Sequence, residues 1–90
     1  VGTRADERAR VARGDADAFT DLYDATSRLV YTVCLRVLRN PEDAEEAAHE
    51  TYVRAWALAG PFDPARGSAA AWLIVLARSR AIDRLRQRQL

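Results

Sequence analysis

The chain has 90 residues, of which 49% are apolar and 30% are charged, so it can form one small domain and is too apolar to be disordered throughout. Its one cysteine, Cys34, cannot form an internal disulfide and fits a reducing compartment. No apolar stretch approaches the roughly 20 residues needed to cross a bilayer, and no basic and apolar leader begins the chain. We therefore expect a cytoplasmic protein without membrane insertion.

Charge is distributed unevenly along the chain. The net charge is +1, yet residues 41–59 hold five acids and one arginine, whereas residues 69–90 hold five arginines and one acid. All 14 basic residues are arginines, a usage that suits phosphate binding and is equally typical of a GC-rich genome. The acidic segment favours a cationic partner, and the last segment favours an anionic one.

The first predicted elements are two helices. Residues 1–14 predict a short charged helix, frayed at its start and ended by Gly14. Apolar residues then recur at three- and four-residue steps from Phe19 to Leu38, a pattern that predicts a helix of about six turns with Cys34 on its inward stripe.

The remainder of the chain also has helical patterns. Asn40 and Pro41 supply an N-cap and a first-turn proline for a second long helix. Its expected inward side chains are Ala44, Ala47, Ala48, Thr51, Tyr52, Ala55, Trp56 and Ala59. An irregular loop at residues 60–68 then leads to a final helix over residues 69–88, capped by Ser68. The sequence thus predicts an all-α bundle of three long helices plus a short N-terminal one, with Trp56 and Trp72 largely buried.

The residues that could carry catalysis or bind a metal lack the necessary companions. His49-Glu50 begins like a zinc-hydrolase motif, but the second histidine would stand at Val53, and His49 is the only histidine. Cys34 lies on the apolar stripe, where a buried structural role is favoured over a nucleophile. We expect no enzyme activity, no metal and no cofactor.

The acidic helix has two interpretations. In the first, its acids form a solvated surface and stabilise the helix N-terminus. In the second, Asp43, Glu46, Glu50 and Val53 follow three- and four-residue steps along one outward stripe that a basic helix could contact. Spacing alone does not decide between a solvated surface and a binding surface.

The final helix favours a nucleic-acid partner. Arg80, Arg84 and Arg88 are four residues apart, so we expect them to point away from the core on one side, flanked by Arg78 and Arg86. The preceding loop offers a ring and polar groups through Phe62, Asp63, Arg66 and Ser68. The alternative is a helix stabilised by internal pairs between Asp83 and its arginines.

Several runs of sequence resemble one known family. They are DAFTDLY (residues 17–23), NPEDAEEAAHETYVRAW (40–56), FD (62–63), AWL (71–73) and ARSRAIDRLR (77–86). Over about residues 15–88 the chain is similar to region two of the extracytoplasmic-function (ECF, group 4) sigma factors of the sigma-70 family. This resemblance implies a helical domain with the boundaries 15–90.

The resemblance also implies a bacterial, nucleoid-associated protein that starts transcription. Its partners would be the β′ clamp helices of the RNA polymerase core, an anti-sigma factor, and the non-template single strand of the minus-ten promoter element. It would hold bases of that strand flipped out of the stack. The polymerase contact would use Asp43, Glu46, His49, Glu50 and Val53. The DNA contact would use Phe62, Asp63, Arg66, Ser68, Arg78, Ser79, Arg80, Arg84 and Arg88.

The chain departs from the family pattern in three respects. His49-Glu50 stands where the family usually has Gln-Glu. Arg78-Ser79 stands where the family often has Arg-Asn. Because a Ser side chain reaches less far than an Asn side chain, the second departure affects the expected base preference. We expect the 90 residues to lack the family's second domain, which reads the minus-thirty-five element. Two rival hypotheses are a helical adaptor that uses only its acidic face and a helix-turn-helix repressor, which the long loop disfavours.

Overall fold

The structure, a computed structural model, describes residues 16–58 and 68–90. Within these ranges it contains three helices, α1 (Ala16–Leu38), α2 (Pro41–Ala57) and α3 (Ala69–Arg88), and no strand. The prediction of an all-α fold is confirmed for this part of the chain. The predicted N-terminal helix and most of the predicted loop lie outside the described residues.

Two residues connect α1 to α2 and reverse the chain direction. Arg39 has a left-handed backbone with φ of 55°, and its N–H donates to the Leu35 carbonyl at 2.7 Å, which ends α1. The Asn40 side chain accepts the Asp43 N–H at 3.0 Å, and Pro41 occupies the first turn of α2. The predicted cap at Asn40 is therefore confirmed.

The start of α3 is also capped as predicted. The Ser68 Oγ accepts the Ala71 N–H at 3.0 Å, which satisfies one of the backbone donors left free at a helix N-terminus. Because Ser68 has this structural task, its hydroxyl is already engaged by the backbone of its own helix.

The three helices pack against one another around one core, with α2 antiparallel to α1 and α3. Large side chains are few at its centre, and alanines let the helices approach closely. The Cys34 Sγ of α1 lies 3.9 Å from the Ala77 carbonyl oxygen of α3. The fully or nearly fully buried apolar residues are Leu22, Val30, Cys34, Leu38, Ala44, Ala47, Tyr52, Ala55, Ala69, Leu73, Ala77 and Ala81.

The expectation that Trp56 is largely buried is wrong. Its side chain is 44% exposed and contacts Phe19 edge-on, with ring centroids 5.0 Å apart. Consecutive helical residues differ by about 100° around the axis, and Ala55 points directly into the core, so Trp56 is turned to the rim between α1 and α2. Trp72 is half-buried.

Candidate functional site

The predicted polymerase-contact residues lie on one side of α2, which we call the acidic surface and define as Asp43, Glu46, His49, Glu50 and Val53. All except Asp43 are exposed, and Asp43 is half-buried beside α3. The arrangement follows from helical spacing, because the core-facing residues of α2 occupy the other side. The structure therefore brings together the residues that the sequence assigned to a common stripe.

Arg84 lies against this acidic surface. Its Nη1 donates to Glu50 Oε1 at 3.0 Å, its Nη2 donates to Glu46 Oε2, and its Nε lies 3.6 Å from Asp43 Oδ1. The Nε is buried and has no hydrogen-bond acceptor among the described residues. One guanidinium on α3 thus contacts three carboxylates on α2, and the Arg84 side chain is only 22% exposed.

Arg88 and Arg80 are also paired. The Arg88 Nη1 donates to Asp43 Oδ2 at 2.7 Å and to the Leu38 carbonyl at 3.2 Å, so this arginine joins the ends of α1 and α3 to the start of α2. Arg80 pairs with Asp83 on its own helix, as the alternative interpretation of the arginines anticipated.

The prediction that Arg80, Arg84 and Arg88 all point away from the core is therefore wrong for Arg84, whose side chain packs against α2. Arg88 is exposed but also pairs with α2, and Arg80 pairs with Asp83 on α3 itself. The reason lies in the inward line of α3, where Leu73, Ala77 and Ala81 are buried at four-residue steps. Arg84 and Arg88 follow the two alanines by seven residues, which is about two helical turns, so they share the inward face. At this end of the bundle, ion pairs between helices replace apolar packing.

The opposite side of α3 carries the unpaired arginines. Arg78 and Arg86 are exposed and make no ion pair within residues 16–58 and 68–90. They flank exposed Val75, which is 70% accessible, and half-buried Ile82. The shallow α3 groove is lined by Val75, Arg78, Ser79, Ile82, Asp83 and Arg86.

Sequence reasoning missed Val75 and Ile82 as members of this groove, whereas it named Arg86 as flanking the arginine stripe. Both were detectable in principle, because Val75 precedes Arg78 by three residues and Ile82 follows Ser79 by three, which places them on the side of α3 opposite Ala77 and Ala81. Of the predicted DNA-contact residues, Arg78 and Ser79 lie in the groove, and Ser68 caps α3. Phe62, Asp63 and Arg66 lie outside the described residues.

Cys34 is buried, as the sequence predicted. Burial raises the pKa of its thiol from 9.0 to about 11, which disfavours the thiolate that a nucleophile requires. Across residues 16–58 and 68–90, no group of three or more His, Cys, Asp or Glu side chains is arranged to bind a metal. None of the three described helices is both long and apolar enough to cross a membrane.

Comparison with known proteins places this arrangement in a family. Residues 22–90 match the family model for sigma-70 region 2. The ECF RNA polymerase sigma factor SigK of Mycobacterium sp. (strain KMS) is 46% identical over 80 residues, which cover 89% of this chain and 42% of that relative. SigK of Mycolicibacterium vanbaalenii is 45% identical over 80 residues, covering 89% and 41%. SigK of Mycobacterium tuberculosis is 46% identical over 80 residues, covering 89% and 43%.

This chain spans less than half the length of these curated relatives. The family match covers α1 from Leu22 onward, both capped helices, the acidic surface and the α3 groove. The resemblance to region two of the ECF sigma factors is confirmed, and the chain belongs to the sigma-70 region 2 family.

Proposed function

We propose that the chain is the domain of an ECF sigma factor that binds the RNA polymerase core and the minus-ten promoter element. The acidic surface of α2 contacts the β′ clamp helices. The α3 groove and the preceding loop contact the non-template single strand. The function is binding, with no chemical step at any of these residues, and its place is the bacterial cytoplasm at the nucleoid.

The observation that carries the DNA part of the proposal is the pair of unpaired arginines beside the groove. Arg78 and Arg86 are free to neutralise phosphates, because no carboxylate pairs with either one in the described part of the chain. Val75 and Ile82 offer an apolar floor between them, and the Ser79 hydroxyl offers a hydrogen bond. Such a combination suits a single strand, whose bases present apolar faces beside a charged backbone.

The charge of α2 supports the polymerase part. Glu46 and Glu50 are 62% and 48% exposed, and Val53 lies on the same outward stripe. A basic helix laid along this stripe would meet two carboxylates and one apolar side chain. Phe62, Asp63 and Arg66 keep their proposed role in capturing an unstacked base, and an anti-sigma factor remains a proposed partner.

The salt dependence of DNA binding tests the assignment of arginines. The full chain, bound to polymerase core, is titrated with a fluorescent non-template minus-ten strand at several salt concentrations. Arg78→Ala and Arg86→Ala should each reduce the slope of log K against log salt by about 0.7, the value for one phosphate contact on a single strand. Arg88→Ala is the matched control, because Arg88 lies on the same helix but is already paired with Asp43.

The outcomes separate the hypotheses. Equal slopes for Arg78→Ala, Arg86→Ala and Arg88→Ala would refute the α3 groove as the DNA contact. Absence of single-strand binding by the wild-type chain, even with polymerase core present, would favour the adaptor hypothesis. Preference for duplex over single strand would favour the repressor.

A further inference from the structure

The carboxylates of the acidic surface are held from the neighbouring helix. Asp43, Glu46 and Glu50 are three and four residues apart, so without a cation between them their like charges would repel. The Arg84 guanidinium lies among all three, and Arg88 holds Asp43 from the other side at 2.7 Å. Two residues of α3 thus hold the three carboxylates of the acidic surface.

The arginine contacts leave one side of each glutamate free. Arg84 binds Oε1 of Glu50 and Oε2 of Glu46, and the second oxygen of each carboxylate makes no hydrogen bond within the described residues. Both glutamate side chains are about half exposed or more. A partner cation can therefore bind the free oxygens while Arg84 stays in place.

Stability alone does not account for this arrangement. Ion pairs to carboxylates as exposed as those of Glu46 and Glu50 contribute little to folding, and the Arg84 Nε is buried without a hydrogen-bond acceptor in the described part of the chain. Ordering the glutamates before binding has another effect, because long side chains that are already fixed lose less conformational entropy when a partner binds.

We propose that Arg84 is a positioning residue for polymerase binding, which fixes Glu46 and Glu50 with their free oxygens directed to the basic partner. This inference rests on the proposed polymerase contact. A planar guanidinium with several donors can bind carboxylates on two sides at once, whereas an ammonium is a point charge without a fixed fork. Shape, as well as charge, is therefore required at position 84.

Arg84→Lys tests the requirement for shape, with Arg36→Lys as the control, because Arg36 is an exposed arginine of α1 outside both the acidic surface and the α3 groove. Competition binding of the full chains to polymerase core is measured at constant salt, and thermal melting shows whether each variant is folded. Arg84→Lys should weaken binding about tenfold, since two glutamates must then be ordered on binding. Arg36→Lys should bind core as wild type does. Wild-type affinity for Arg84→Lys would overturn the proposal.

A second comparison asks whether Arg84 acts through the two glutamates. In a Glu46→Gln/Glu50→Gln background, adding Arg84→Lys should cause no further loss of core binding, because the two glutamates that Arg84 positions are already gone. If the lysine instead weakened binding through a general destabilisation, the loss would persist in this background. A further tenfold loss in that background would overturn the positioning role. If Glu46→Gln/Glu50→Gln itself binds core as wild type does, the proposed polymerase contact fails as well, and the inference fails with it.

Discussion

A buried hydrogen bond joins α1 to α2, and the geometry defines its direction. Thr26 Oγ1 lies 2.6 Å from the Leu22 carbonyl oxygen and 2.7 Å from the Tyr52 hydroxyl. A carbonyl can only accept, so Thr26 donates its one proton to Leu22, and Tyr52 must donate to Thr26. Both side chains are buried, and Tyr52 also contacts the rings of Phe19 and Tyr23.

The direction of this bond predicts unequal costs for removing its two ends. Tyr52→Phe removes the donor while Thr26 keeps its bond to Leu22, so the free energy of unfolding should fall by about 1 kcal/mol. Thr26→Val keeps the shape but leaves the buried Tyr52 hydroxyl without an acceptor, which should cost roughly 1–3 kcal/mol. The double variant should lose less than the sum, with a coupling energy of about 1 kcal/mol.

Urea denaturation followed by circular dichroism measures these changes, with an unchanged m-value as the check on two-state unfolding. Thr32→Val is the matched control, because Thr32 also lies on α1 and donates to the carbonyl four residues earlier, at 2.9 Å, without reaching another helix. The reasoning is refuted if Thr26→Val costs no more than Thr32→Val, or if the effects of Thr26→Val and Tyr52→Phe are additive within about 0.3 kcal/mol.

Two further predictions concern the backbone and the buried thiol. Arg39→Gly should stabilise the fold by about 1 kcal/mol, because Arg39 has a φ of 55°, which glycine adopts without strain. Arg36→Gly within α1 should instead destabilise the fold by about 1 kcal/mol. Thermal melting of the two variants measures the difference. Since burial raises the pKa of Cys34 from 9.0 to about 11, its contribution to stability is full below pH 9 and is lost as pH rises to about 11. Between about pH 8 and pH 10.5, urea denaturation should show a smaller fall in the free energy of unfolding for Cys34→Ala than for wild type. Equal falls for the two proteins would contradict the assignment to Cys34.

Local chemistry made much of the fold predictable. Asn40 with Pro41, and Ser68 before a run of alanines, are signals that act within one helical turn, and both caps form as expected. The same holds for the acidic surface, because helical spacing alone brings Asp43 and Glu50 to one side of α2. The sequence resemblance also identified the family to which the chain belongs.

The orientation of α3 depended on the neighbouring helices. Its sequence offers two candidate inward faces, because alanine gives only a weak apolar signal. From the sequence alone, the charged stripe of Arg84 and Arg88 is therefore expected to face solvent. Ala77 and Ala81 face inward because their small side chains permit α1 to approach, as the Cys34 contact shows. Once these alanines are buried, the arginines two turns later must lie beside α2.

The sequence by itself therefore determined the helices, their caps, the family and the charge of each segment. The tertiary structure decided which arginines are free. Arginine has a long side chain, so its charge can be neutralised by carboxylates more than 30 positions away in sequence, as Arg84 is by Glu46 and Glu50. No local pattern reports such a partner, because the partner depends on how the helices pack together.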